Sequence, residues 1–316
     1  MDTSAITDQL LAMLSTAKLD GKRNALRVLE KTPDKARVQP VVEALFKSSE
    51  GSLRQASLRT LITLGGTQND ALLTEVLAST DDTLVGMALV GLAETRNTSA
   101  IDKVRSILAD SRANQLAVQL LGYFKAVSGT TSEADIVALM HLAQGSAPLD
   151  VRIAIVESLP ALGATLNTEL RRTMQPITES TERKLSDAGM VAMVRLGDKA
   201  SRKDLLKPYD ERIADNERWA QAWVDRGDVY ARIGEDDNAI KDFQKAIVVG
   251  KDDPTFQPDA FIKLARALAR EGKLKEAADK LRVAPVSLEV LRGLRNDPDF
   301  KKLRESKYGK DVFGTD

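Results

Sequence analysis

Residues 218–249 read RWAQAWVDRGDVYARIGEDDNAIKDFQKAIVV. Trp219, Trp223, Arg226, Gly227 and Tyr230 recur at three- and four-residue steps, so they share one face of a helix. Gly227 carries no side chain and lets a neighbouring helix come close. Gly234 ends this helix, because glycine takes the left-handed cap conformation at little cost. Ala239, Phe243 and Ala246 then lay a small–large–small stripe along a second helix. The spacing predicts a helix–turn–helix hairpin.

The slots recur further on. In PDAFIKLARALAREGKLKEAADKLRV, residues 258–283, the positions are filled by Phe261, Ala265, Leu268, Gly272, Ala277 and Leu281, with Ala284 just beyond. The pattern W-x2-x-G-x2-Y…A-x3-F-x2-A resembles the tetratricopeptide repeat. The resemblance implies a repeat that binds protein partners and seldom does chemistry. Arg226 departs from it, standing where the family usually has Leu. The closing proline is delayed to Pro254, and Ala265 and Leu268 stand in Gly and Tyr slots. Ala239 and Ala277 are 38 residues apart, against about 34 in the family, which places an insertion in 250–257. The tail, 285–316, opens with an amphipathic helix. The turn NDPDF then returns Phe300 and Leu303 to the core. It looks like the capping segment that follows such arrays, and it makes 309–316 read as a domain end. In this family the first helix of each pair faces a groove. The groove-facing slots here are Gln221, Asp225, Asp228 and Arg232, then Asp259, Lys263, Arg266 and Arg270. Chaperone-binding members grip a terminal carboxylate with a Lys/Asn/Arg clamp. Val224 and Asp228 occupy two of those slots, so the clamp is incomplete.

Ahead of this region the chain repeats itself differently. Helices are predicted over 3–18 and 24–31, with a break at Asp20-Gly21. Paired helices follow over 34–47 and 53–64, 70–79 and 83–94, 100–109 and 112–125, 133–143 and 149–162, and 168–178 and 182–196. Gly, Asp, Asn, Ser and Pro mark the breaks. Pro160 is expected to kink or shorten its helix. Leu61, Leu92, Leu121, Leu159 and Val194 stand as equivalents, at steps of 31, 29, 38 and 35 residues. A loose period in the thirties with paired helices predicts an α-solenoid. The starts Leu53-Arg54-Gln55-Ala56 and Asp150-Val151-Arg152-Ile153-Ala154, with Leu-Gly ends, resemble the HEAT-repeat family. A charged helix over 198–215, bent at Pro208, is expected to join the arrays end to end. The fold class is therefore all-α, a right-handed α–α superhelix. It comprises a HEAT-like part over 1–197, a connecting helix over 198–216, two tetratricopeptide-like hairpins over 217–284 and a cap over 285–316.

Composition fits this reading. Aromatic residues are 4% of a chain that is 43% hydrophobic, so cores must come from aliphatic side chains and helix-on-helix packing. The 46 basic and 46 acidic residues cancel, and residues 1–197 carry 21 basic and 22 acidic side chains. No basic surplus marks a nucleic-acid binder, which argues against the DNA-glycosylase solenoids. Nothing supports a chromophore lyase. Cysteine is absent, so thiolate metal sites and cysteine nucleophiles are excluded. His141 is the sole histidine and lacks carboxylates at helical ligand spacing. No phosphate-binding, nucleophile-elbow or zincin motif occurs. Asp81-Asp82 reads as a helix cap. No enzyme activity and no cofactor are predicted. No apolar run is long enough to span a membrane. The N-terminus lacks a basic leader, which leans toward the cytoplasm and leaves an exported fragment open.

HEAT-type arrays use their second helices for the inner face. Thr83–Ala93 and Ala113–Phe124 contain no charge. Two positions step along the aligned helices as Gln55, Gly86, Gln115 and Ile153, and as Arg59, Val90, Gln119 and Glu157, with Tyr123 one turn beyond Gln119. A weakly polar face of this kind suits a peptide or helix, by apolar burial and amide hydrogen bonds. The resulting expectation is a non-enzymatic scaffold or adaptor for protein partners. The alternative is a docking or regulatory region of a larger, envelope-associated bacterial protein.

Overall fold

The computed structural model describes residues 3–252 and 257–314, all in helices and short connections, with no strand among them. Pro254 and part of the inserted stretch fall outside the described residues. The chain divides into two compact units, Met1–Thr181 and Glu182–Asp316.

In the first unit Thr3–Thr16 packs on Leu19–Leu29, Lys35–Ser48 on Gly51–Leu64, Asp70–Val76 on Asp82–Glu94 and Glu133–Gln144 on Leu149–Ser158, while Ile101–Leu108 and Thr168–Thr178 pack on Glu133–Gln144. The second helices also pack on one another in order: Leu19–Leu29, Gly51–Leu64, Asp82–Glu94, Ala117–Ala126 and Leu149–Ser158. Their inward residues Leu26, Leu58, Leu61, Leu89, Leu92, Leu120 and Ile155 are fully or almost fully buried. The aliphatic composition is thus spent on one continuous helix-to-helix seam. Several boundaries differ from the sequence reading. Asp20-Gly21 does not break the chain but lies in the first turn of Leu19–Leu29. First-turn N–H groups need no intrahelical acceptor, and Asp20 suits the positive end of the helix dipole. A Cβ on Gly21 would lie 2.8 Å from the Ala17 Cβ, so this glycine serves close approach. The helix read over 112–125 is split into a 3-10 turn, Ser111–Asn114, and Ala117–Ala126, the turn being capped by the Asp110 carboxylate. Pro160 acts as expected, the helix ending at Ser158. Asp81 caps Asp82–Glu94 by accepting from the Thr83 and Leu84 amides at 2.9 and 3.3 Å.

The second unit begins with Arg183–Arg195. The sequence grouped this helix with the earlier pairs, and here it packs on Lys199–Asp215 and Ala220–Ile233. Val191, Leu205, Leu206, Val229 and Ile233 form their common core. Lys199–Asp215 is continuous through Pro208. The two hairpins follow as Ala220–Ile233 with Asp236–Val249 and Gln257–Arg270 with Leu274–Val283. Their core joins Phe243, Leu264, Leu268 and Leu281 to Phe300, Leu303 and Phe313 of the tail. Phe300 and Leu303 therefore return to the core as the spacing predicts. Gly234 sits at φ +82°, the left-handed cap expected of it.

Gly227 sets the closest approach of its hairpin. A Cβ there would meet the Phe243 ring at 2.6 Å. Gly227→Ala is therefore expected to destabilise the second unit by about 1–3 kcal/mol, the usual range for overpacking. Both tryptophans lie in this unit, so thermal unfolding followed by their fluorescence reads the change directly. Phe243→Leu added to Gly227→Ala should cost less than the two single changes together, because it opens the contact.

Candidate functional site

Two surfaces were singled out by sequence, and the structure treats them oppositely. Along the hairpins of the second unit the predicted groove charges are engaged within the chain. Lys263 Nζ donates to Asp228 at 2.5 Å and lies 3.1 Å from Asp259. Arg266 donates to Asp297 at 2.8 Å. Arg270 bridges Asp236, at 2.5 Å, and Asp299, at 2.8 Å. Arg212 and Gln221 both donate to Asp225, at 2.9 and 2.8 Å. Arg232 is exposed. Burial alone would lower the Lys263 ammonium, but Asp228 and Asp259 outweigh it and hold it above the ordinary lysine value. Lys263, Arg266 and Arg270 thus staple each hairpin to the next, or to the tail, across separations of 29 to 35 residues.

Arg226, the departure from the tetratricopeptide pattern, joins the two helices of its hairpin and ties them to Lys199–Asp215. It donates twice to the nearly buried Asp242 and once to Asp210, each at 2.8 Å. Its guanidinium stacks 5.1 Å from the Trp223 ring centre and 5.7 Å from that of Tyr230. Arginine's planar fork serves bidentate and stacking contacts at once.

The first unit presents a groove. It has a volume of about 600 Å³ and lies on the second helices Gly51–Leu64 and Asp82–Glu94 and the segment leading into Ala117–Ala126. Arg59, Gly86, Val90, Gln115 and Gln119, all singled out by sequence, line it together. Ile62, Met87 and Leu116 complete an apolar floor that the sequence reading missed. The signal was the uncharged run 83–93 itself, whose inward and outward residues are alike apolar. Gly86 is buried, with Leu116 and Gln119 packed over it at 3.5 and 3.7 Å from where a Cβ would stand. Val90 is 44% exposed and puts an aliphatic side chain at the groove. The Gln119 Oε1 atom is buried and accepts no hydrogen bond, which leaves a desolvated acceptor unsatisfied. Asp82 lines the groove too, held by Arg112 at 3.2 Å. Gln55 lies beside this groove in an adjoining depression that shares Arg59 and Met87.

Tyr123 is a correction. The sequence reading set it on the same face as Gln119, but it is fully buried and its hydroxyl donates to the Asn97 carbonyl at 2.6 Å. Its ring packs edge-on to Phe124 with centroids 5.8 Å apart. One turn beyond Gln119 the face rotates into the core, so Tyr123 fastens the preceding loop. His141 is exposed on its helix. No cluster of three or more His, Cys, Asp or Glu able to hold a metal occurs among the described residues. No described helix is long and apolar enough to cross a membrane. No family model matches the chain, and neither a curated protein nor a solved structure matches it.

One staple also crosses the first unit. Arg105 donates to both oxygens of buried Asp135, at 2.8 and 2.9 Å, and Ser132 completes a capping box with the same carboxylate. Burial pushes this carboxyl up, but Arg105 and Ser132 together hold it below the usual carboxylate range. A depressed carboxyl contributes stability that is present above its unfolded value, about 3.9, and is lost as pH falls through the folded value. Asp135→Asn should therefore be less stable than the parent by about 1–3 kcal/mol at pH 7. That gap should close below about pH 4. Urea unfolding followed by far-UV circular dichroism at pH 7, 4 and 3 measures both.

Proposed function

We propose that the chain is a non-enzymatic protein-interaction scaffold. In this reading its first unit is a HEAT-like array and its second comprises tetratricopeptide-like hairpins with a terminal cap. Support for the repeat types comes from the consecutive stacking of second helices, the Gly227–Phe243 approach and the left-handed Gly234 cap. The observation that carries the function is the groove over Ile62, Met87, Val90 and Leu116, apolar at its floor and edged with the amides of Gln115 and Gln119. Such a surface gains by burying apolar side chains of a partner, while its amides fix register through hydrogen bonds. It offers no phosphate-binding row of cations, so protein fits it better than nucleic acid. The hairpin charges, being mutually paired, are assigned to cohesion of the second unit and not to recognition.

Affinity capture from a lysate of the source organism tests this, with wild-type chain, Val90→Glu and Arg266→Glu as parallel baits. The expected result is a partner retained by wild type and Arg266→Glu and lost from Val90→Glu. A partner lost only from Arg266→Glu would place recognition on the hairpins instead. Salt-sensitive shifting of DNA by the wild-type chain would overturn the protein-partner reading.

A further inference from the structure

The groove continues past Arg59. An adjoining depression of about 580 Å³ is lined by Leu19–Leu29 and Gly51–Leu64, with Arg59 and Met87 common to both. Together they make a trough across four successive repeats of the first unit. Its two ends differ in charge. From Ile62 to Gln119 the only ionised side chain is Asp82, already held by Arg112. The lower-numbered end carries Arg23, Arg27 and Arg59 against Asp20 and Glu30. Asp20 lies 3.8 Å from Arg23, and Glu30, largely covered, lies 3.6 Å from the Arg59 Nε. Arg59 nevertheless keeps 67% of its side chain exposed. Arg27 is exposed and makes no ion pair among the described residues. At the far end stands the unsatisfied Gln119 Oε1.

We propose that this trough takes an acidic-ended apolar peptide segment of a protein partner. Its apolar side chains seat over Ile62, Met87, Val90 and Leu116, and one or two of its carboxylates face Arg27 and Arg59. The inference rests on the scaffold reading and adds the partner's chemistry and direction. Burial at the floor supplies most of the affinity, because apolar area removed from water is the larger gain. The arginines supply selectivity and orientation. Guanidinium groups meet carboxylates with two parallel hydrogen bonds, and one edge of the trough offers such groups while the other offers none. The exposed Gln115 amide is placed to hydrogen-bond the segment. A segment with lysines at the same end would bring like charges to Arg27 and lose that preference.

The test is selection of a displayed library of random 12-residue peptides on the full chain, followed by fluorescence anisotropy of enriched peptides made synthetically. Apolar pairs or triplets with Asp or Glu displaced to one end are expected. Val90→Glu should weaken such peptides at least tenfold. The double change Arg27→Glu with Arg59→Glu should weaken them by about three- to tenfold, as two exposed charge pairs would. It should also strengthen counterparts in which Lys replaces the acidic residues. All three substituted positions are exposed, and circular dichroism of each variant checks that the fold is kept. Enriched peptides without acidic bias, or a charge reversal that leaves the preference unchanged, overturn the acidic partner while leaving the groove in place. Peptides that bind Val90→Glu as well as wild type, or no enrichment at all, overturn the groove reading itself.

Discussion

A pair of antiparallel helices joined by a short turn can bury only the faces turned toward each other. The opposite faces stay apolar and open until another pair covers them. Every other feature of this molecule follows from that dependence. With aromatic residues scarce, the covering has to be close and aliphatic. Small residues therefore sit where helices approach, as at Gly227 under Phe243 and Gly21 beside Ala17, and leucines recur along the second helices. At the end of the second unit the open face is closed by Phe300, Leu303 and Phe313 from the tail, so the last hairpin is not left uncovered.

Apolar faces specify that repeats stack, but they are poor at specifying register, since one leucine seam resembles another. Charged pairs add that information. Lys263–Asp228, Arg270–Asp236 and Arg105–Asp135 each join residues about one repeat apart, and each has a partly or fully buried member. A wrong stacking would strand a desolvated charge, which costs far more than an exposed pair gains. Because an exposed salt bridge is worth little, their value here lies in excluding alternatives more than in raw stability.

The repeats were legible because helical spacing and glycine punctuation are local properties. Gly234, Pro160 and Asp81 act through their own backbone, and each does what its residue type implies. The groove was half legible. An absence of charge over 83–93 can be read along a chain, whereas Leu116 entering the same floor depends on how the neighbouring helix is rotated. That rotation also hid the fate of Tyr123. Helical period alone set it on the outer stripe, but the Asn97 carbonyl lies within reach of its hydroxyl only after the preceding pair has folded. The same limit applies to the hairpin charges. Lys263 and Arg270 occupy groove slots in the sequence, and nothing local says that Asp228 and Asp236, a repeat away, already hold them.

The two units differ in what they leave unsatisfied. In the hairpins, Lys263, Arg266 and Arg270 meet carboxylates, and Trp223 and Tyr230 lie beside the Arg226 guanidinium, so these groove-slot charges are satisfied within the chain. In the first unit, Val90 stays half exposed, Gln119 keeps a buried oxygen without a donor, and Gly86 lets Leu116 and Gln119 pack close over its helix. The first two are small local costs to the isolated chain. All three lie on neighbouring turns of the same two segments, around one groove. Exposed valines scattered singly would need no explanation. An exposed valine and an orphaned amide gathered around one groove set this surface apart from the paired charges of the hairpins.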